Sequence, residues 1–132
     1  FVNGGCHGTS HQLGVMWSQT DNQGDIDWKQ ANLWVKYTFP YTIKAQYDDW
    51  RLPTLAELQS LYIHDKKNKG FETDCGQWVK IVPDIELSCG WVWSSKTSAI
   101  QAYVFNFNRG YHYSARMVHN KAYRALPVRD LK

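Results

Sequence analysis

Asp49-Trp50-Arg51-Leu52-Pro53-Thr54-Leu55-Ala56-Glu57-Leu58-Gln59-Ser60-Leu61-Tyr62 carries the clearest local signal in the chain. Thr54 and Glu57 stand three apart, the spacing at which each side chain satisfies the other's free backbone N–H at a helix start. Pro53 sits just before them, where no helical N–H is needed. Leu55, Leu58, Leu61 and Tyr62 then follow the rhythm of one buried helix face. This stretch predicts a short capped helix, followed by an exposed lysine-rich loop at 64–70 that holds Lys66, Lys67 and Lys69.

Upstream, residues 1–10 are glycine-rich and read as turns leading to a short strand at 13–17, then a polar loop at 18–26. Asp27 and Gln30 repeat the capping pattern. Trp28, Ala31, Leu33, Trp34 and Val35 give an apolar helical stripe to about Tyr37, with Pro40 expected to end the helix. Downstream the period changes from 3.6 to 2. Residues 91–94 read as a strand, 101–118 as a hairpin turning at Asn108-Arg109-Gly110, and 123–128 as a last strand, with Pro127 placing it at an edge or near its end. Early helices followed by a late antiparallel meander describe a single α+β domain over residues 1–132.

With 132 residues, 43% hydrophobic and 20% charged, the chain can bury a real core and is not a disordered tail. No apolar run reaches the roughly 20 residues of a membrane helix, so membrane insertion is not expected. The chain opens at Phe1 without a basic segment and apolar stretch, which is read as an export signal already removed. Seven Trp, eight Tyr and five Phe suit either a loop-rich core or a binding surface. Charge is uneven: residues 1–100 hold nine Lys/Arg against eleven acids, whereas 101–132 hold six against Asp130 alone. A basic, aromatic terminal quarter is a candidate polyanion surface, and equally a solvated strand face.

The three cysteines are Cys6, Cys75 and Cys89. A Cys75–Cys89 disulfide in an oxidising compartment is expected, with Cys6 free or paired outside this segment. Asp21, Asp25 and Asp27 have oxygen ligands at spacings like those of a calcium loop, without the closing bidentate Glu of an EF-hand. A structural calcium is the one cofactor this pattern admits, and Asp27 is already explained as a helix cap.

The blocks Phe1-Val2-Asn3-Gly4, Gly8-Thr9, Leu13-Gly14-Val15-Met16-Trp17, Asp27-Trp28 and Trp50-Arg51-Leu52-Pro53-Thr54 with Glu57-Leu58 resemble successive blocks of one bacterial family. So do Trp91-Val92-Trp93-Ser94-Ser95, 102–107 with Gly110, and Ala125-Leu126-Pro127-Val128-Arg129. It is the Lcl C-terminal domain family, named after the Legionella collagen-like protein. The resemblance implies a C-type-lectin-like α+β fold, two helices on a small antiparallel sheet with long loops, in a secreted or cell-surface protein. In the namesake the domain is a trimeric adhesin module that binds sulfated glycans. Relatives often carry a Cys in the first helix or the closing block; this chain has neither.

The leading expectation is therefore a non-enzymatic recognition or adhesion module for an anionic glycan or cell-surface polymer. Its candidate contacts are Arg109, Tyr111, His112, Arg116, His119, Lys121 and Arg124, with the Lys66, Lys67 and Lys69 loop as a second patch. The alternative is a structural subunit of a surface fibre, pilus or trimer, so a homo-oligomer is expected among its partners. Nucleic acid is not expected for an exported domain. No enzyme is expected either. The Arg-Leu-Pro-Thr segment is also similar to one in formylglycine-generating-enzyme relatives, but their chemistry needs a reactive cysteine pair. His7 and His11 lie in a glycine-rich stretch, and no Ser/His/Asp set, H-E-x-x-H or phosphate loop is present.

Overall fold

A computed structural model describes residues 2–3, 14–44 and 47–131. Cys6, His7 and His11 lie outside the described residues. Among the described residues, three sheets and two helical segments make a mixed α+β fold. Strands β1 (Val2–Asn3), β2 (Val15–Trp17) and β9 (Val128–Asp130) form one antiparallel sheet in the order β1-β2-β9. Strands β3 (Phe71–Glu72) and β4 (Trp78–Val79) pair by themselves. The central sheet, in the order β7-β6-β5-β8, contains β5 (Trp91–Ser98), β6 (Gln101–Asn106), β7 (Tyr111–Arg116) and β8 (Tyr123–Arg124). No helix among the described residues is long and apolar enough to cross a membrane.

Both faces of the central sheet are covered. Successive side chains on a strand point to opposite faces, and here they enter two different cores. Val92 and Phe105 pack with Leu58 and Leu61 of α3 (Leu55–Leu61), together with Phe107, Ile81 and Trp17. Their neighbours Trp93, Val104 and Ala102 pack instead with Ala31, Val35 and Phe39 of the other helical segment. Two indoles are tied as well as packed: the buried Trp93 donates from Nε1 to Ile26 O at 2.8 Å and the half-buried Trp28 from Nε1 to Ser94 O at 2.9 Å.

Both helix starts form as the sequence dictates. Gln30 N–H donates to the Asp27 carboxylate at 2.8 Å. At α3 the reciprocal box closes, Glu57 N–H to Thr54 Oγ1 at 3.1 Å and Thr54 N–H to Glu57 Oε1 at 2.8 Å. The glycine of the β6–β7 turn is required twice over. Gly110 has φ +81°, and a Cβ there would lie 2.5 Å from the Tyr62 ring.

Several expectations are corrected. Pro40 does not end the first helix: α1 (Trp28–Leu33) passes into a π-helical turn (Trp34–Thr38) and then α2 (Phe39–Thr42). The wider turn sends Phe39 N–H to Trp34 O, and Pro40 falls in the first turn of α2, where a missing N–H breaks no bond. Leu33 lies on the exposed side of this segment, not in its buried stripe. β5 continues four residues beyond the expected end at Ser94. The closing strand is two strands, because Pro127 interrupts it: β8 runs parallel to β5, so the central sheet is not wholly antiparallel, and β9 joins β2. The 18–26 loop runs beside this closing stretch. Ser18, Asn22 and Ile26 N–H donate to the carbonyls of Pro127, Ala125 and Tyr123.

Arg51 links α3 to the closing strand. Its guanidinium donates to both Glu57 oxygens and to Asp130, each at 2.8 Å, and its backbone pairs with Val128. Burial pushes the Glu57 carboxyl up, but the Arg51 guanidinium and the Thr54 amide more than offset this and hold it below its ordinary value. A depressed carboxylate contributes stability that is present above its unfolded value, about 4.3, and is lost as pH falls through the folded one. Glu57→Gln is expected to lower the unfolding free energy at pH 7 by about 1.5–3 kcal/mol, the range for hydrogen bonds to charged groups. In urea titrations the gap to the parent protein should shrink at pH 3.

Candidate functional site

The outer end of the β5–β6–β7 hairpins lies beyond the cover of α3. The β5–β6 register slips between Trp93 and Thr97, and this irregularity brings Lys96 Nζ over the Tyr103 ring, 4.8 Å from its centre. The Tyr103 ring is 5.8 Å from that of His112 on β7. Tyr103 pairs with Ser114 and Gln101 with Arg116, so the pleat sets Gln101, Tyr103, His112, Ser114 and Arg116 on one face. Ser95 to Ser98, His112, Ser114 and Arg116 are exposed. No ion pair among the described residues engages Lys96 or Arg116. The result is an open surface of two uncommitted cations, an imidazole, a phenol ring and hydroxyls.

Of the expected contacts, this face gathers His112 and Arg116. Tyr111 points the other way, toward Tyr113, with the two rings 5.9 Å apart. Beyond them, Tyr123 stacks edge-on against Trp91 and Trp93. Burial, followed by a hydrogen bond with Tyr123, pushes the Tyr113 phenol above its ordinary range. Arg109 is exposed in the β6–β7 turn, at the opposite end of β7 from Arg116. Six residues of strand separate these ends by roughly 20 Å. His119 and Lys121 border a shallow cleft with Val118, Asn120 and Tyr123. Lys121 lies close enough to Asp25 to help lower its pKa. Lys66, Lys67 and Lys69 are exposed in the α3–β3 loop, whose turns are pinned by Asp65 accepting from Lys67 N–H and Asn68 accepting from Gly70 N–H.

Arg124 is not a surface contact. It is 7% exposed, and its guanidinium donates to Ser88 Oγ and Asp25 Oδ1, each at 2.7 Å. Arg129 of the same basic tail is likewise buried, bonded to Asp49 and stacked 3.7 Å from the centre of the Tyr47 ring.

The calcium candidates do not converge. Asp21 accepts from the Ser88 amide and hydroxyl and from Gln23 N–H, Asp25 from Arg124 and Ala122 N–H, and Asp27 caps α1. Among the described residues no group of His, Cys, Asp and Glu is placed to hold a metal ion. Cys75 and Cys89 form the expected disulfide, next to a cleft of about 340 Å³ that includes Thr73, Asp74 and Ser88.

Lys96 and Tyr103 were not among the expected contacts. Lys96 was missed because the strand was expected to stop at Ser94; the alternation of Lys96 with Ser94 and Ser98 is the signal that could have shown it.

The family model of the Lcl C-terminal domain matches residues 9–129, and the chain belongs to that family. Membership suggests a surface or extracellular adhesion-type module. No curated protein matches the chain.

The division of the arginines is directly measurable. Arg124→Ala leaves Asp21, Ser88 and Asp25 without their cation and is expected to destabilise by about 2–3 kcal/mol. Arg116→Ala should stay within about 0.5 kcal/mol of the parent in the same denaturant titration.

Proposed function

We propose that this domain is a non-enzymatic extracellular recognition module that binds anionic, sulfated glycans through the exposed end of the Gln101, Tyr103, Ser114 and Arg116 face of β6 and β7. The Lys96–Tyr103–His112 stack beside Arg116 carries this reading. Among the described residues Lys96 and Arg116 meet no carboxylate, so their charge is available to a sulfate, and Arg116 can grip one through two parallel bonds. A sugar ring can lie against Tyr103 or His112, and Ser114 and Gln101 supply neutral hydrogen bonds to hydroxyls. Family membership supports the extracellular setting. A C-type-lectin-like arrangement belongs to the same reading, with recognition independent of calcium, since Asp21, Asp25 and Asp27 are otherwise engaged.

Binding to immobilised heparin as a sulfated probe should weaken steeply with salt, because exposed charge contacts are screened within about 8 Å at physiological ionic strength. Lys96→Ala with Arg116→Ala is expected to reduce affinity at least about tenfold, a loss of about 1.4 kcal/mol, with the fold intact. Arg109→Ala should change it less than about twofold, as expected for a residue outside the contact. Salt-insensitive binding, or full affinity in the double variant, would contradict the proposal. Loss of binding only on dilution to monomers would favour the fibre-subunit alternative.

A further inference from the structure

The outward ridge of the helical segment 28–44 has a character that glycan contact does not use. Ala31, Val35 and Phe39 face the core. On the opposite side Leu33, Tyr37 and Tyr41 follow one another at four-residue spacing, exposed by 46%, 72% and 85%. Ile43, four residues after the buried Phe39, lies at the core-side end of the segment and is not part of the ridge. Lys29, Lys36 and Lys44 are exposed on the same segment, and it contains no carboxylate from Trp28 to Lys44. At the start of α1 the surface extends into a mostly apolar groove whose lining includes Trp28, Ile100, Met117 and Val118, with Lys29 and the helix-capping Asp27 at its edge. Ile100 and Val118 are themselves 64% and 76% exposed.

We infer that this ridge docks the domain onto the surface of an anionic lipid bilayer. Three features select that occupant. The ridge protrudes as a leucine followed by two tyrosine rings, so it needs a yielding medium that can take Leu33 and the rings of Tyr37 and Tyr41 out of water; a hydrated polysaccharide offers none. Tyrosines with an apolar ring and a polar tip suit the headgroup boundary, and Tyr37 and Tyr41 stand highest. The lysines can lay their stems along the apolar crest and reach anionic headgroups, the arrangement of helices that lie in the plane of an interface. A second copy docked ridge to ridge would instead set lysines against lysines. Docked in this way, the helical residues Trp28 to Thr42 would span roughly 22 Å of membrane surface at about 1.5 Å per residue.

The test is co-sedimentation of the intact protein with vesicles of phosphatidylcholine alone and of equal parts phosphatidylcholine and phosphatidylglycerol, at low and high salt. Binding is expected with the anionic vesicles and is expected to fall as salt rises. Lys29→Ala, Lys36→Ala and Lys44→Ala together should lower partitioning about a hundredfold, at about fivefold per lysine. Tyr37→Ser with Tyr41→Ser should lower it independently of salt. Both sets are surface changes, and unaltered thermal unfolding checks the fold. The Lys96→Ala/Arg116→Ala variant should bind vesicles normally, which keeps this proposal separate from glycan recognition. Equal binding to neutral and anionic vesicles, no binding to either, or full binding by the ridge variants would overturn it. So would concentration-dependent self-association that the same ridge substitutions abolish, since that would assign the ridge to a second copy.

Discussion

Three arginines hold the closing segment of this domain in place, and the rest of the architecture depends on that pairing. Arg51 grips Glu57 and Asp130, Arg124 grips Asp25 and Ser88, and Arg129 grips Asp49. Removing a guanidinium from water costs several kcal/mol unless a carboxylate and further hydrogen bonds replace the water. In each case they do. Ser88 relays the arrangement inward: its hydroxyl accepts from Arg124 and donates to Asp21, whose carboxyl burial pushes up and the Ser88 bonds pull back. Because Cys89 adjoins Ser88, the disulfide and the arginine network fix the same stretch of chain just before β5.

This pairing divides the cations into two populations. The basic excess of the last quarter looks uniform in the sequence, yet its interior members neutralise acids drawn from distant loops at 21–25 and 48–49. Among the described residues, what remains for solvent is Arg109, Arg116 and Lys121, to which the folded chain adds Lys96 from the preceding strand. A net charge counted along the chain therefore overstates the charge a partner would meet. The surface that survives is set by the pleat of β6 and β7, which turns His112 and Arg116 one way and Tyr111 the other.

Much of the fold was legible because its signals are local. The Thr54/Glu57 and Asp27/Gln30 caps, the 101–118 hairpin and the turn at Gly110 each depend on residues within a few positions of one another, and each formed as read. The disulfide was legible from cysteine spacing. What was not legible depends on tertiary partners. Leu33 reads as core by composition, but helical phase places it opposite Ala31 and Val35. Pro40 reads as a terminator, and a π turn absorbs it. The break at Pro127 separates two strands that belong to different sheets, and no local pattern says which strand each will join. Arg124 reads as a surface cation until Asp25, ninety-nine positions away, is brought against it.

The account rests on the difference between committed and free cations in the last third of the chain. Its most direct measurement is a chemical-shift titration of the ¹⁵N-labelled domain with a short heparin oligosaccharide. The largest changes are expected at Lys96, Tyr103, His112, Ser114 and Arg116, with the Arg124 and Arg129 side-chain signals unmoved. Changes centred on Arg124 and Arg129, or scattered evenly over all the basic residues, would contradict it.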